Sequence, residues 1–223
     1  MLFEQIAHFR ALAPDMAVLI VLNRARLWHK HGDMANRRAL PDRSRKPLGA
    51  AKLDELALAY VARFATSRAK LTRYLARKVR ESEWMDESDA MAACEAIADR
   101  MERLRYLDDR QYAAMRAGAM TRRGLGVRRV KAQLYADGIA GDDSGEAIEA
   151  AEASALAAAV GFARRRRFGP FAMRETDDPK QRERQLAAFL RAGHSLAVAH
   201  QVLAVAPGDE AALAALDDEA GLD

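Results

Sequence analysis

Along most of the chain the apolar positions recur at intervals of three and four, the period of helices with one buried face. No stretch alternates polar and apolar over the length of a strand. Leu53, Leu56, Tyr60 and Phe64 form the first stripe, from Lys52 onward. Ser67 is placed to accept from the free amides of a second helix, on which Leu71 and Leu75 stack while Arg73, Arg77 and Lys78 point elsewhere. An acidic break over 82–89 surrounds Trp84, and a third helix, about 90–105, is expected to present Ile97, Met101 and Leu104 inward.

Residues 104–139 carry the densest punctuation. Asp108, with Gln111 three residues later, makes a capping box, and Tyr112, Met115 and Ala119 are expected to face the core of the helix it opens. Gly124 and Gly126 let the chain leave that helix and enter another at an angle, because glycine tolerates positive φ. On the new helix Val127, Val130 and Leu134 form the buried stripe and Arg128 and Arg129 turn outward. Each buried aliphatic contributes roughly 1.5–3 kcal/mol, so packing rather than propensity holds such a helix.

Further on, an acidic turn at 141–145 leads into an alanine-rich helix over about 146–167, which ends at Gly169 and Pro170 with Arg164, Arg165, Arg166 and Arg167 in its last turn. A loop spans 174–180, a helix runs over 181–190, and Gly193 breaks it. Ser195 caps a further helix with Leu196, Ala199 and Leu203 inward, and the acidic, alanine-rich stretch after Pro207 is at most a loose final helix.

Three of these helices share a pattern. Ser67, Gly126 and Ser195 each stand four residues before an apolar position (Leu71, Val130, Ala199) and eight before a leucine (Leu75, Leu134, Leu203), and Gly124 and Gly193 both lie ten before that leucine. Such self-similarity marks an array of supersecondary units. The expected architecture is all-α: a basic, poorly ordered N-terminal arm over 1–51, helical units over 52–106, 107–145 and 146–206, and an acidic tail over 207–223.

Composition agrees with this. The chain is 50% hydrophobic but only 6% aromatic, which demands a core of Ala, Leu and Val. The single Cys94 excludes an internal disulfide and any multi-cysteine metal site, five scattered His show no ligand spacing, and a reducing, cytoplasmic setting fits. No cofactor is expected. The apolar run at 16–22 is too short to cross a membrane and lacks a cleavage site. Residues 33–47, rich in arginine with two prolines, read as a flexible basic arm, and the chain starts either at Met1, with a basic leader helix, or at Met34.

The net charge of +4 is modest, but it is segregated. Residues 24–52 carry nine Lys or Arg, and 122–131 carry five with no acid, whereas 207–223 carry six acids and 142–152 five, with no base. Arg122, Arg123, Arg128, Arg129 and Lys131 are therefore binding candidates, set against the ordinary reading of a solvated helix face. Arg164, Arg165 and Arg166 are weighed in the same way, as consecutive residues cannot all face one partner. Tyr106, Tyr112 and Tyr135 fall on or beside apolar stripes and are expected in the core rather than as base-stacking positions. Asp108 and Asp109 could be a catalytic pair, but capping accounts for Asp108 and no His, Cys or ligand spacing completes a set. No glycine-rich phosphate loop follows a strand.

The string RYLDDRQYAAMRAGAMTRRGLGVRRVKAQLYADGI, residues 105–139, resembles the central signature of the RecX family of RecA regulators. TSRAKLTRYLARK (66–78) is similar to the second helix of that family's first unit, and RRFGPF (166–171) with KQRERQLAAFLRAGHSLAVAHQVL (180–203) to its third. The likeness covers about 52–205, with departures at Leu125 and His194, where an aromatic is common, at Gln133 in place of a glutamate, and at Asp137 in place of a base.

The resemblance implies a non-enzymatic regulator, built of three-helix units, that binds the RecA filament and the single-stranded DNA within it. It would most commonly inhibit recombinase, ATPase and co-protease activity in recombination, DNA repair and the SOS response. It also implies that Leu107, Asp108, Asp109, Gly124 and Gly126 are structural, and it adds Arg73, Arg77 and Lys78 to the partner-facing cations. A monomer with no membrane association is expected. Competing readings are a stand-alone helix-turn-helix DNA binder, for which the second helix offers few Asn or Gln suited to base edges, and a scaffold for another acidic protein.

Overall fold

The computed structural model describes residues 45–175 and 178–222. Most of the expected basic arm, the apolar run at 16–22 and the choice between Met1 and Met34 lie outside the described residues. Within them the chain is all-α, ten α-helices with one pair of two-residue strands.

The first core is built by α1 (Ala50–Val61), α2 (Arg68–Glu81) and α3 (Ala90–Arg103). Leu53, Ala57, Leu71, Leu75, Cys94, Ile97 and Met101 fill it, and the parallel pair β1 (Pro47–Leu48) and β2 (Glu83–Trp84) adds Leu48. The stripe of α1 runs out before its end, since Leu56 and Tyr60 are only half-buried and Phe64 is 52% exposed. Leu104 is also outside, at 51% exposure. Helix α3 stops at Arg103, Arg105 adopts a left-handed φ of 62°, and the redirected chain inserts Leu107 where the helical phase would have put Leu104.

The second core joins α4 (Asp109–Arg122), α5 (Val127–Asp137) and α6 (Asp142–Ala153). On α4 the inward residues are Tyr112, Ala113, Ala117 and Met120, while Met115 is 48% exposed and Ala119 half-buried. Helices α4 and α6 meet through Ala117, Ala147 and Ala151, whose small side chains let the backbones approach. The expected helix over 146–167 is in fact two. Most of the acidic turn forms the first turn of α6, where Asp142 and Asp143 suit the positive helix end, and the chain bends at Ser154.

The third core comprises α7 (Ala155–Arg166), a 3₁₀ turn (Gly169–Phe171), α8 (Pro179–Ala192), α9 (Leu196–Leu203) and α10 (Glu210–Glu219). Phe162, Phe189, Ala199 and Val202 sit at its centre. Leu196 is 52% exposed, so Ala199 and Val202 carry the inward face of α9. The tail is a capped helix rather than a loose one: Asp209 accepts from the Ala212 amide and Leu216 is buried against the core.

Two junctions tie the cores. Between the first and second, Ser67 Oγ donates to the Asp137 carbonyl at 2.6 Å, Arg73 Nη1 to the Ala136 carbonyl at 3.0 Å, and the Arg68 amide to Asp109 Oδ1 at 2.8 Å. The Asp137 carboxylate is 7% exposed and accepts from the Tyr112 hydroxyl at 2.9 Å and from Gln133 Nε2 at 3.0 Å, with Lys70 Nζ at 3.6 Å and Arg116 Nε at 3.7 Å. Between the second and third, the Gly126 amide donates to the Ala192 carbonyl at 3.0 Å and the Arg128 amide to the Gly193 carbonyl at 3.1 Å. The end of α8 thus meets the start of α5 with orphan amides against orphan carbonyls, whereas at the end of α5 the orphan carbonyls accept from the hydroxyl of Ser67, the N-cap of α2, and from the Arg73 guanidinium of α2.

Asp137→Ala should lower stability by about 2–3 kcal/mol in denaturant unfolding, because Lys70, Arg116 and the Tyr112 hydroxyl lose a shared acceptor at a buried site. Gly193→Ala should cost more than about 1 kcal/mol. Gly193 has a φ of 96°, and an added Cβ would lie 2.5 Å from the Arg129 amide nitrogen.

Candidate functional site

The hinge between the second and third cores gathers most of the candidate cations. Helix α4 ends at Arg122, and Arg123 leads into Gly124, whose φ of 70° turns the chain. A Cβ at Gly124 would overlap the Arg165 guanidinium, which donates to the Arg123 carbonyl. Gly126 is needed for closeness rather than for its φ of −77°, since a Cβ there would strike the Gly193 carbonyl group.

Under the hinge lies His194, which the residue pattern suggests for the surface or the hinge; it is at the hinge but buried, only 2% exposed. Its ring packs 5.4 Å from the Phe162 and Phe189 centroids, and Nε2 is 3.1 Å from the Gly124 carbonyl oxygen. A carbonyl only accepts, so Nε2 carries the proton. Burial holds the His194 pKa below its ordinary 6.5, outweighing the opposing hydrogen bond to Gly124.

The cations divide by what they touch. Arg122, Arg123, Arg128 and Arg129 are exposed, and among the described residues their side chains form no ion pair or hydrogen bond. Lys131 pairs with Glu152 at 2.7 Å. Arg164 pairs with Asp217 at 3.4 Å and lies over the Phe171 ring, while Arg166 lies over Phe162. Arg77 and Lys78 both reach Glu81, at 3.8 and 3.1 Å, and flank the Tyr74 ring. Arg73 binds the Ala69 and Ala136 carbonyls rather than a carboxylate, so its charge is uncompensated. The structure therefore joins Arg122, Arg123, Arg128, Arg129 and Arg165 at one hinge and puts Arg73 at the far end of α5. Arg77 and Lys78 belong to the first core, and Arg164 and Arg166 to the arginine run beside α10.

The acidic motif is explained by packing. Leu107 closes the first core, Asp108 accepts from the Gln111 amide at 2.8 Å, and Asp109 accepts from the Arg68 amide, capping the neighbouring core's α2. Burial raises the Asp109 pKa, against the pull of the Arg68 amide. Cys94 is buried, and burial raises its thiol pKa as well, which disfavours the reactive thiolate. Among the described residues no group of three His, Cys, Asp or Glu could hold a metal ion, and no helix is long and apolar enough to cross a membrane.

Two of the three tyrosines expected in the core are not there. Tyr112 is buried, but Tyr106 is 57% exposed and Tyr135 79%. Tyr135 stands one residue off the stripe at Leu134, an offset that on a helix is enough to reach solvent, and Tyr106 lies in the bend after α3, one residue before the inserted Leu107. Sequence reasoning also missed the junction role of Asp137, whose only sign was an acid where a base was expected. It missed Arg68 too, which draws in Glu95, Asp99 and Glu102 at 2.9, 2.5 and 3.5 Å.

Fold and surface together define a helical protein of successive small cores that presents uncompensated arginines at a rigid joint, an arrangement suited to binding a polyanionic partner. The chain is 32% identical over 168 residues to Regulatory protein RecX of Myxococcus xanthus (strain DK1622), covering 73% of this chain and 89% of that one. It is 33% identical over 102 residues to Regulatory protein RecX of Agrobacterium fabrum (strain C58 / ATCC 33970), covering 46% and 54%. A solved structure described as "Crystal structure of regulatory protein RecX" superposes with a TM-score of 0.47 at 19% identity, over 70% of this chain and 71% of that one. No family model matches. The chain belongs to the RecX family of regulatory proteins.

Because native His194 is held neutral, the unfolded chain takes up a proton first as pH falls. Stability should be full above pH 6.5 and decline as pH drops below it, by at most about 1.4 kcal/mol per pH unit for this one group. Thermal unfolding between pH 5 and 8 checks this, and His194→Gln should flatten the slope.

Proposed function

We propose that this protein regulates the RecA recombinase by binding the RecA filament on single-stranded DNA and restraining its ATPase, strand-exchange and co-protease activities, acting as a cytoplasmic monomer by binding rather than by catalysis. The observation that carries the reading is the cluster of carboxylate-free arginines, Arg122, Arg123, Arg128 and Arg129, at the joint of a chain that belongs to the RecX family. Guanidinium groups left without acids on a fixed backbone suit phosphates and acidic protein patches alike. The ion pairs of Lys131, Arg77 and Lys78 are exposed and weak, so those cations can exchange an internal acid for a partner at small cost.

The geometry disfavours the helix-turn-helix alternative. The Gly126 and Arg128 amides at the start of α5 are taken by the Ala192 and Gly193 carbonyls and cannot bind a phosphate, and Gln133, the side chain on α5 suited to a base edge, donates to Asp137 instead.

The purified chain should lower RecA ATPase on single-stranded DNA at substoichiometric to stoichiometric amounts, with the full chain and a version starting at Met34 both titrated. No effect at several-fold excess would sink the reading. Arg128→Glu combined with Arg129→Glu should raise the half-inhibitory concentration about tenfold or more with helix content unchanged, and should reduce the salt dependence of binding.

A further inference from the structure

We propose that Tyr135 is a base-stacking position for single-stranded nucleic acid, set within the cationic face of α5. The inference deepens the filament reading and rests on it for the expectation that a strand comes within reach.

Tyr135 is the most exposed tyrosine among the described residues, at 79%. The others are engaged or less open: Tyr60 and Tyr74 stack at 4.3 Å, Tyr112 spends its hydroxyl on Asp137, and Tyr106 is 57% exposed. Among the described residues Tyr135 has no ring partner, no cation over its face and no hydroxyl bond. Its neighbours one turn back along α5 are Lys131 and Ala132, and two residues beyond it the helix ends, with Gly138 turning the chain at a φ of 84° and Ile139 buried. With small residues at 132 and 138, nothing on its own helix covers the ring. The backbone at 136–138 is locked by Ser67, Arg73 and the Asp137 network, so the ring is mounted on a fixed support.

The charge around it selects the ligand. Arg128 and Lys131 precede Tyr135 by seven and four residues and share its face, across a rise of about 10 Å. Lys131 is neutralised by Glu152, whereas Arg128 and the adjacent Arg129 have no acid. At the other end, the Arg73 guanidinium binds the Ala136 carbonyl, next to Tyr135 in the chain, without a carboxylate partner. An open aromatic face between uncompensated cations fits a polyanion that also offers flat apolar faces. A single strand does so, while a duplex hides its base faces in the stack. An acidic protein segment would match the charges but leave the ring without a partner.

The test uses the full chain with a fluorescent oligo(dT) and an abasic oligomer of equal length, and compares the wild type with Tyr135→Ala and Tyr135→Phe. The expected result is about a tenfold affinity loss on oligo(dT) for Tyr135→Ala, none for Tyr135→Phe, and no change for either on the abasic strand. The salt slope should stay at its wild-type value, because no phosphate contact is removed. Unchanged oligo(dT) affinity in Tyr135→Ala overturns the inference, as does a wild type that fails to bind free single strands. Equal losses on both oligomers would mark a contact to the backbone and overturn it too. RecA ATPase on the same variants separates the two claims. Inhibition by wild type with DNA affinity indifferent to Tyr135 leaves the filament reading standing and removes this one. Tyr135-dependent DNA binding without any effect on RecA does the reverse. A loss of RecA inhibition in Tyr135→Ala at unchanged DNA affinity would make Tyr135 a protein contact, against the proposal.

Discussion

Both ends of helix α5, Val127–Asp137, are closed by other cores. Its N-cap is Gly126, which has no side chain to offer, and the amides of Gly126 and Arg128 are satisfied by the last carbonyls of α8. At its C-terminus the Ala136 and Asp137 carbonyls accept from Arg73 and Ser67 of the first core. A short helix with neither end capped by its own side chains is marginal alone, so its stability is inseparable from the docking of its neighbours. The glycines follow from this constraint. Gly126 and Gly193 pass too close for a Cβ on either, and Gly138, at a φ of 84°, lies against Ala69.

The same constraint shapes the binding surface. Because the backbone polar groups at the ends of α5 are consumed internally, its outward side chains are free of structural duty at the front, where Arg128 and Arg129 stand beside Arg122 and Arg123. Acids are present but lie elsewhere: Glu152 takes Lys131, Asp217 takes Arg164, and Asp137 is turned inward to hold Tyr112 and Lys70. Segregated charge in the chain becomes a segregated surface. Beneath it, His194 completes the joint by a neutral hydrogen bond to Gly124 in an aromatic pocket, where burial holds its pKa below the ordinary value.

Much of the architecture was legible from residue pattern. Ser67, Asp108 and Ser195 cap the helices they were expected to cap, since N-capping is a local contact between a side chain and an amide three residues on. The stripes Leu71 with Leu75 and Val130 with Leu134 are buried as their spacing requires. The errors cluster where phase was ambiguous. On α4, Ala113, Ala117 and Met120 compete with Met115 and Ala119 as a stripe, and only the small residues allow α6 to approach. Leu196 and Tyr135 sit on helices but off the covered side, which apolar character alone does not mark, and Leu104 and Tyr106 lie past the end of α3, where the chain has left the helical path.

What the sequence by itself determined was therefore local and periodic: the helices, most of their caps, the glycine breaks, the concentration of arginine at one hinge, and the motif string that marks the family. Tertiary structure alone decided which ends meet. Asp109 caps another core's helix, Asp137 becomes an internal acceptor, His194 is buried, and α10 folds back to place Leu216 in the third core and Asp217 on Arg164. The physical reason is range. Capping and periodicity act within about one helical turn, whereas these contacts join residues that lie 20 to 70 positions apart in sequence and exist only once the cores have docked.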